Sequence, residues 1–187
     1  MSDVIATRRL LVRQFATADA EELQRICGDR RTMRYVGDGT VLGRARCAEW
    51  IAESLQDYAV AGRGAWAVFV QGTSGMAGYC GIVSAPHRRD PEIIYAFRPG
   101  WWRQGLASEL VPALLAHGFG TLHLPRLVAT IRPENIASLR AVERAGMHCA
   151  GEEFDREGVL MLIYALDAPV AGAPAGAPSG AIQITRA

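Results

Sequence analysis

The stretch EIIYAFRPGWWRQGLASELV, residues 92–111, changes its period half-way along. As far as Phe97 it is aliphatic and aromatic, the composition of a strand. Beyond the loop, Leu106, Leu110 and Leu114 recur at every fourth position, which predicts a helix over residues 104–120. Pro112 lies inside that span and is expected to remove one backbone bond and bend the helix. A strand therefore feeds the start of a helix through small residues and hydrogen-bond donors. The first amides of a helix are unpaired and its dipole is positive there, so an anion receives several charge-assisted bonds. Gly105 and Ala107 keep side chains out of the way, and Arg103 adds a cation. Diphosphate is the ligand that suits this arrangement best.

The rest of the chain must supply any such site locally. With 20 Lys and Arg against 19 Asp and Glu, the net charge of +1 sets up no field to hold a polyanion, so nucleic acid and membrane surfaces are not expected partners. The 187 residues suffice for one substantial core and are short for two. Cys27, Cys47, Cys80 and Cys149 form no C-x-x-C pair, which fits neither a disulfide framework nor a zinc site. His87, His117, His123 and His148 are scattered, and no metal is expected. A basic start without an apolar segment after it, and no long apolar run, give the expectation of a cytoplasmic chain.

Outward from the central stretch, alternation at residues 7–15 predicts the first strand, and two helices follow at residues 17–29 and 44–62. Residues 64–85 read as a hairpin around Gly72 and Gly75, and residues 125–133 as a fifth strand. A helix at 134–146 and two final strands around a turn at 156–158 complete the order β, α, α, β, β, β, α, β, α, β, β. Residues 1–167 make one domain. Residues 168–187, rich in Ala, Pro and Gly, offer little to bury and are expected to be a flexible tail.

A second motif, RPENIASLRAVERAGM at residues 132–147, sets Asn135 and Ser138 at a helix start and Gly146 at its end. Asn135 as N-cap and Gly146 at C′ explain each of these residues singly. The combination with the first motif is less easily explained by capping. Together with TRRLLVRQF at 7–15 and LIYAL at 162–166, the chain resembles the GNAT N-acetyltransferases, and within them the ribosomal-protein alanine N-acetyltransferases and their small-molecule relatives. The resemblance spans residues 5–167.

It implies an α/β fold with a mixed, mostly antiparallel sheet of about seven strands, helices on both faces, and the fourth and fifth strands splayed. It also implies acetyl-CoA as cosubstrate. The pantetheine arm would lie along Ile94, Tyr95, Ala96 and Phe97, and the diphosphate on Trp102, Arg103, Gln104, Gly105, Leu106, Ala107 and Ser108. Asn135, Ser138 and Arg144 would complete the cofactor contacts. Trp102 stands where Gln or Arg is common in the family. Val142 occupies a position where many members carry a Tyr acid, which shifts the acid role toward Ser138 or water.

Acetyl transfer to nitrogen needs a neutral amine, a base or a water path to remove its proton, donors for the oxyanion, and a proton for the departing thiolate. The resemblance assigns the base to Glu92, directly or through a water chain, and the oxyanion donor to the backbone N–H of Ile94 or Tyr95. Ser138 would protonate the thiolate. Strand alternation sends Glu92, Ile94 and Ala96 to one face and Ile93, Tyr95 and Phe97 to the other. Arg31, Arg34 and Tyr35, with Glu92, would meet the acceptor, with Asp29, Arg30 and the turn at 152–156 nearby. The acceptor is expected to be a protein N-terminal amine, with a small amine or amino-sugar as the alternative. A catalytically silent acyl-CoA-binding module is the reading from another class. The protein is expected to act as a monomer or homodimer.

Overall fold

The computed structural model describes residues 3–84 and 90–169. The tail expected from residue 168 onward falls almost wholly outside the described residues, as does His87. Eight strands form one sheet in the order β1-β2-β3-β4-β5-β6-β8-β7. They are β1 (Asp3–Ala6), β2 (Leu10–Gln14), β3 (Ala65–Val70), β4 (Gly78–Ser84), β5 (Pro91–Phe97), β6 (Arg126–Ile131), β7 (His148–Phe154) and β8 (Leu160–Asp167). The helices are α1 (Ala20–Cys27), α2 (Arg30–Met33), α3 (Arg44–Ala61), α4 (Leu106–Gly120) and α5 (Ile136–Arg144).

Two elements exceed the expectation from sequence. The strand at residues 7–15 is the second, because Asp3–Ala6 pairs with it across a tight turn closed by Thr7 N–H donating to the Leu10 carbonyl at 2.9 Å. A four-residue strand is too short to show an alternation. The segment between the first two expected helices contains α2, started by the Asp29 carboxylate accepting from Arg31 N–H at 2.8 Å. Helix α4 runs unbroken through Pro112.

The sheet is covered on both faces. Leu106, Leu110, Leu114 and Val142 of α4 and α5 bury against Leu10, Val68, Ile82, Ile93 and Leu127 on one side. On the other, Leu23 and Ile26 of α1 and Cys47 and Ile51 of α3 bury against Phe15, Ala67, Tyr79 and Ala96. Close approach of β5 to β4 depends on Gly78, where a Cβ would stand 2.2 Å from the Ala96 carbonyl oxygen.

The sheet is antiparallel throughout except between β5 and β6, the pair that α4 connects. Strand β5 keeps seven register pairs with β4 but only one with β6, Glu92 with Val128. Beyond that pair the two strands part, and the sheet has a gap at its centre.

Candidate active site

Strand β5 carries both halves of the site. Past Phe97 the chain makes a short 3-10 turn (Pro99–Trp101) and enters α4 through two left-handed residues, Arg103 (φ 62°) and Gly105 (φ 75°). Gly105 is the N-cap, and residues 102–105 are exposed. Arg103 and Gly105 turn the chain into α4, whose first amides are left unpaired by the helix itself. Trp101 packs against the core, whereas Trp102 is 43% exposed and donates its indole N–H to the Phe97 carbonyl at 2.6 Å. Trp102 therefore braces the end of β5.

The register decides which backbone groups of β5 face the gap. Ile82 N–H donates to Gly64 beside β3, so residues 79, 81 and 83 of β4 turn their backbone groups toward β5, where they meet Ala96, Ile94 and Glu92. The backbone groups of Ile93, Tyr95 and Phe97 consequently face the gap. Of the two oxyanion donors open from sequence, Tyr95 N–H points where a ligand can reach it, while that of Ile94 is spent on the ladder with Gly81.

Glu92 stands where the strands part. Its carboxylate accepts from Thr130 N–H of β6 at 3.0 Å, so an amide that a continued ladder would have bonded to the β5 main chain goes to a side chain instead. One residue thus holds the gap open and places a carboxylate in it. Across the gap, Asn135 caps α5 by accepting from Ser138 N–H at 3.3 Å. Ser138 stands beside the Tyr95 phenol. Burial raises the Tyr95 pKa and the Ser138 hydroxyl opposes that rise, yet the phenol oxygen completes no well-formed hydrogen bond. Arg144, at the exposed far end of α5, lies about 9 Å along the helix axis from Ser138. Val142 is fully buried in the core.

A cavity of about 720 Å³ runs through the gap. Glu92, Tyr95, Asn135 and Ser138 line it, and Trp50 packs edge-on against Tyr79 at 4.9 Å to form a wall. Its mouth lies between the loop Tyr35, Val36, Gly37, Asp38 and the β7–β8 turn, where Phe154 is 71% exposed. Arg132 ties the loop to the end of β6 by donating to the Gly37 carbonyl at 2.8 Å. Tyr35 lines the cavity; Arg31 and Arg34 do not. Arg31 pairs with Asp29 at 2.7 Å, and Arg34 lies over the Tyr35 ring at 5.0 Å. The ionisable lining is acidic, with Asp38, Glu92, Glu153, Asp155 and Glu157 against Arg156.

The remaining candidates lie elsewhere. His117 packs edge-on to Trp66 at 5.5 Å, and burial lowers its pKa. Cys27, Cys47 and Cys80 are buried thiols and Cys149 is exposed. Among the described residues, no group of three His, Cys, Asp or Glu side chains is placed to hold a metal ion.

A family model described as "Acetyltransferase (GNAT) domain" matches residues 9–148. YoaA of Bacillus subtilis (strain 168), described as an uncharacterized N-acetyltransferase, is 31% identical over 166 residues, covering 86% of this chain and 87% of that protein. The crystal structure of a GNAT-family acetyltransferase from Bacillus anthracis superposes with a TM-score of 0.74 at 26% identity, covering 87% of this chain and 97% of that one. RimL, a ribosomal L7/L12 alpha-N-protein acetyltransferase solved with coenzyme A, shares the fold with a TM-score of 0.76 at 16% identity, covering 89% and 98%.

Proposed function

The chain belongs to the GNAT acetyltransferases, acetyl-CoA-dependent N-acetyltransferases, and on that premise we propose that the gap between β5 and β6 joins acetyl-CoA to a protein N-terminal amine in one ternary complex. The observation that carries this is that a single strand, β5, leads through the loop at 98–105 into the start of α4 and presents Glu92 and the Tyr95 N–H to the gap beside it. Donor and acceptor then approach from opposite faces of the sheet. The diphosphate rests on the amides at 103–108, and the amine enters past Tyr35 and the β7–β8 turn.

Glu92 takes the amine proton, directly or through water, and the amine nitrogen bonds to the thioester carbon. Tyr95 N–H donates to the oxyanion. The C–S bond breaks, and the thiolate is protonated by Ser138, by the Tyr95 phenol, which burial keeps in its protonated form, or by solvent. An acidic mouth favours an acceptor that arrives as a cation.

The test is thiol release from acetyl-CoA across a panel of peptides, the same peptides blocked at the N-terminus, small amines and amino-sugars. Peptides with free N-termini should turn over and blocked ones should not. Turnover confined to small amines or amino-sugars would replace the acceptor with that class. A separate expectation concerns Arg103, which is exposed. Arg103→Ala should weaken acetyl-CoA binding by no more than about fivefold, because an exposed ion pair contributes little. Calorimetric titration showing a hundredfold loss would mean that the ligand buries this side chain.

A further inference from the structure

The β1–β2 turn grips the start of α4 through contacts that span a hundred residues of sequence. Glu109, in the first turn of α4, accepts from the Thr7 hydroxyl at 2.6 Å, from Arg9 N–H at 2.8 Å and from Arg9 Nε at 2.6 Å. Arg9 Nη1 reaches on to the Gln104 carbonyl at 2.8 Å. The turn is itself held, since Leu10 N–H donates to the Thr7 hydroxyl at 3.0 Å and Gln71 N–H to the Arg9 carbonyl at 2.8 Å. These are partly buried contacts, with the Arg9 and Glu109 side chains 34% and 17% exposed.

Two consequences follow from elementary chemistry. A carboxylate in the first turn of α4 would repel an anion bound there, but Glu109 is turned onto Arg9 and Thr7. Burial pushes its pKa up, and the bonds from Thr7 and Arg9 outweigh this, holding it down to about 2. The second consequence concerns the peptide between Gln104 and Gly105. In a planar trans peptide the carbonyl and the following N–H point in opposite directions. With the Gln104 carbonyl held by Arg9, the Gly105 N–H points away from Arg9, toward the open side of the loop.

We propose that Arg9 is a positioning residue for the cosubstrate: it fixes the Gln104–Gly105 peptide so that the Gly105 N–H faces the diphosphate, and it neutralises the carboxylate beside that site. The proposal rests on the reading that the loop binds diphosphate. Arg9 acts through the loop, since its guanidinium forks between Glu109 and Gln104, while Nη2 lies 3.7 Å from where a Cβ on Gly105 would stand.

The test compares calorimetric affinity for acetyl-CoA with affinity for acetyl-pantetheine, which lacks the diphosphate. Arg9→Ala should weaken acetyl-CoA by about tenfold or more, the scale of charged hydrogen bonds lost, and leave acetyl-pantetheine within about twofold. Arg9→Lys keeps a cation for Glu109 but cannot fork to Gln104. It guards against misfolding and should still weaken acetyl-CoA selectively. Equal losses for both ligands would make Arg9 a residue of the fold and overturn the proposal, as would full acetyl-CoA affinity in both variants. Wild-type protein that binds the two donors equally would overturn the diphosphate reading itself.

Discussion

Glu92→Gln is expected to lower turnover near neutral pH by about 10²- to 10⁴-fold, with acetyl-CoA affinity unchanged. The structure makes this substitution informative because the proposed base also bonds to β6. Its Oε1 accepts from Thr130 N–H at 3.0 Å, and the carbonyl oxygen of Gln can accept the same bond. The gap keeps its shape, while the amide cannot take a proton. The deficit should shrink as pH rises through the acceptor's own pKa, where the amine is already neutral and needs no base. A deficit of the same size at every pH would assign Glu92 to the architecture of the gap and leave the proton to a water chain. A change confined to the acceptor KM would place it in recognition.

Gly105→Glu should reduce acetyl-CoA affinity by about a hundredfold or more through two separable effects. Gly105 adopts φ 75°, which costs any side-chain-bearing residue about 1–2 kcal/mol. A carboxylate there also adds negative charge beside the proposed diphosphate site and offers Arg9 a competing acceptor. Gly105→Ala isolates the backbone effect and should lose about thirtyfold or less. Titration of both variants, with melting curves to establish folding, separates the two. Undiminished affinity in folded Gly105→Glu would remove the diphosphate from this loop.

The order of long elements is legible in the sequence because periodicity reports which face is buried. The change of period after Phe97 marks the junction of β5 with α4, and Asn135 with Gly146 marks the two ends of α5. Short elements are not legible: Asp3–Ala6 and Arg30–Met33 each have four residues, only two periods of a strand's alternation and little more than one turn of a helix, too few to stand out from chance. Side-chain alternation on β5 is readable, but which backbone groups face the gap depends on the register with β4, a pairing that no local pattern encodes. Sequence therefore leaves Ile94 and Tyr95 equivalent as candidate oxyanion donors, and only the ladder with β4 distinguishes their N–H groups.

Long-range polar partners are hidden for the same reason. Nothing around Arg9 points to Glu109, although an acidic residue in the first turn of a helix proposed to bind an anion is a local contradiction that calls for a cation from elsewhere. Arg31 and Arg34 are as eligible as Tyr35 by position in the chain. Their ends go to Asp29 and to the Tyr35 ring, and only Tyr35 reaches the cavity. The walls formed by Trp50 and Tyr79 come from elements whose sequence reports only burial.

The most direct measurement is a crystal structure of the protein with acetyl-CoA bound. The diphosphate should accept from the backbone amides at 103–108, with the Gly105 N–H among the donors. The thioester should lie in the gap between β5 and β6, its carbonyl oxygen toward the Tyr95 N–H and Glu92 on the side from which an amine enters. A cosubstrate seated outside that gap, or a diphosphate held away from the start of α4, would contradict the account.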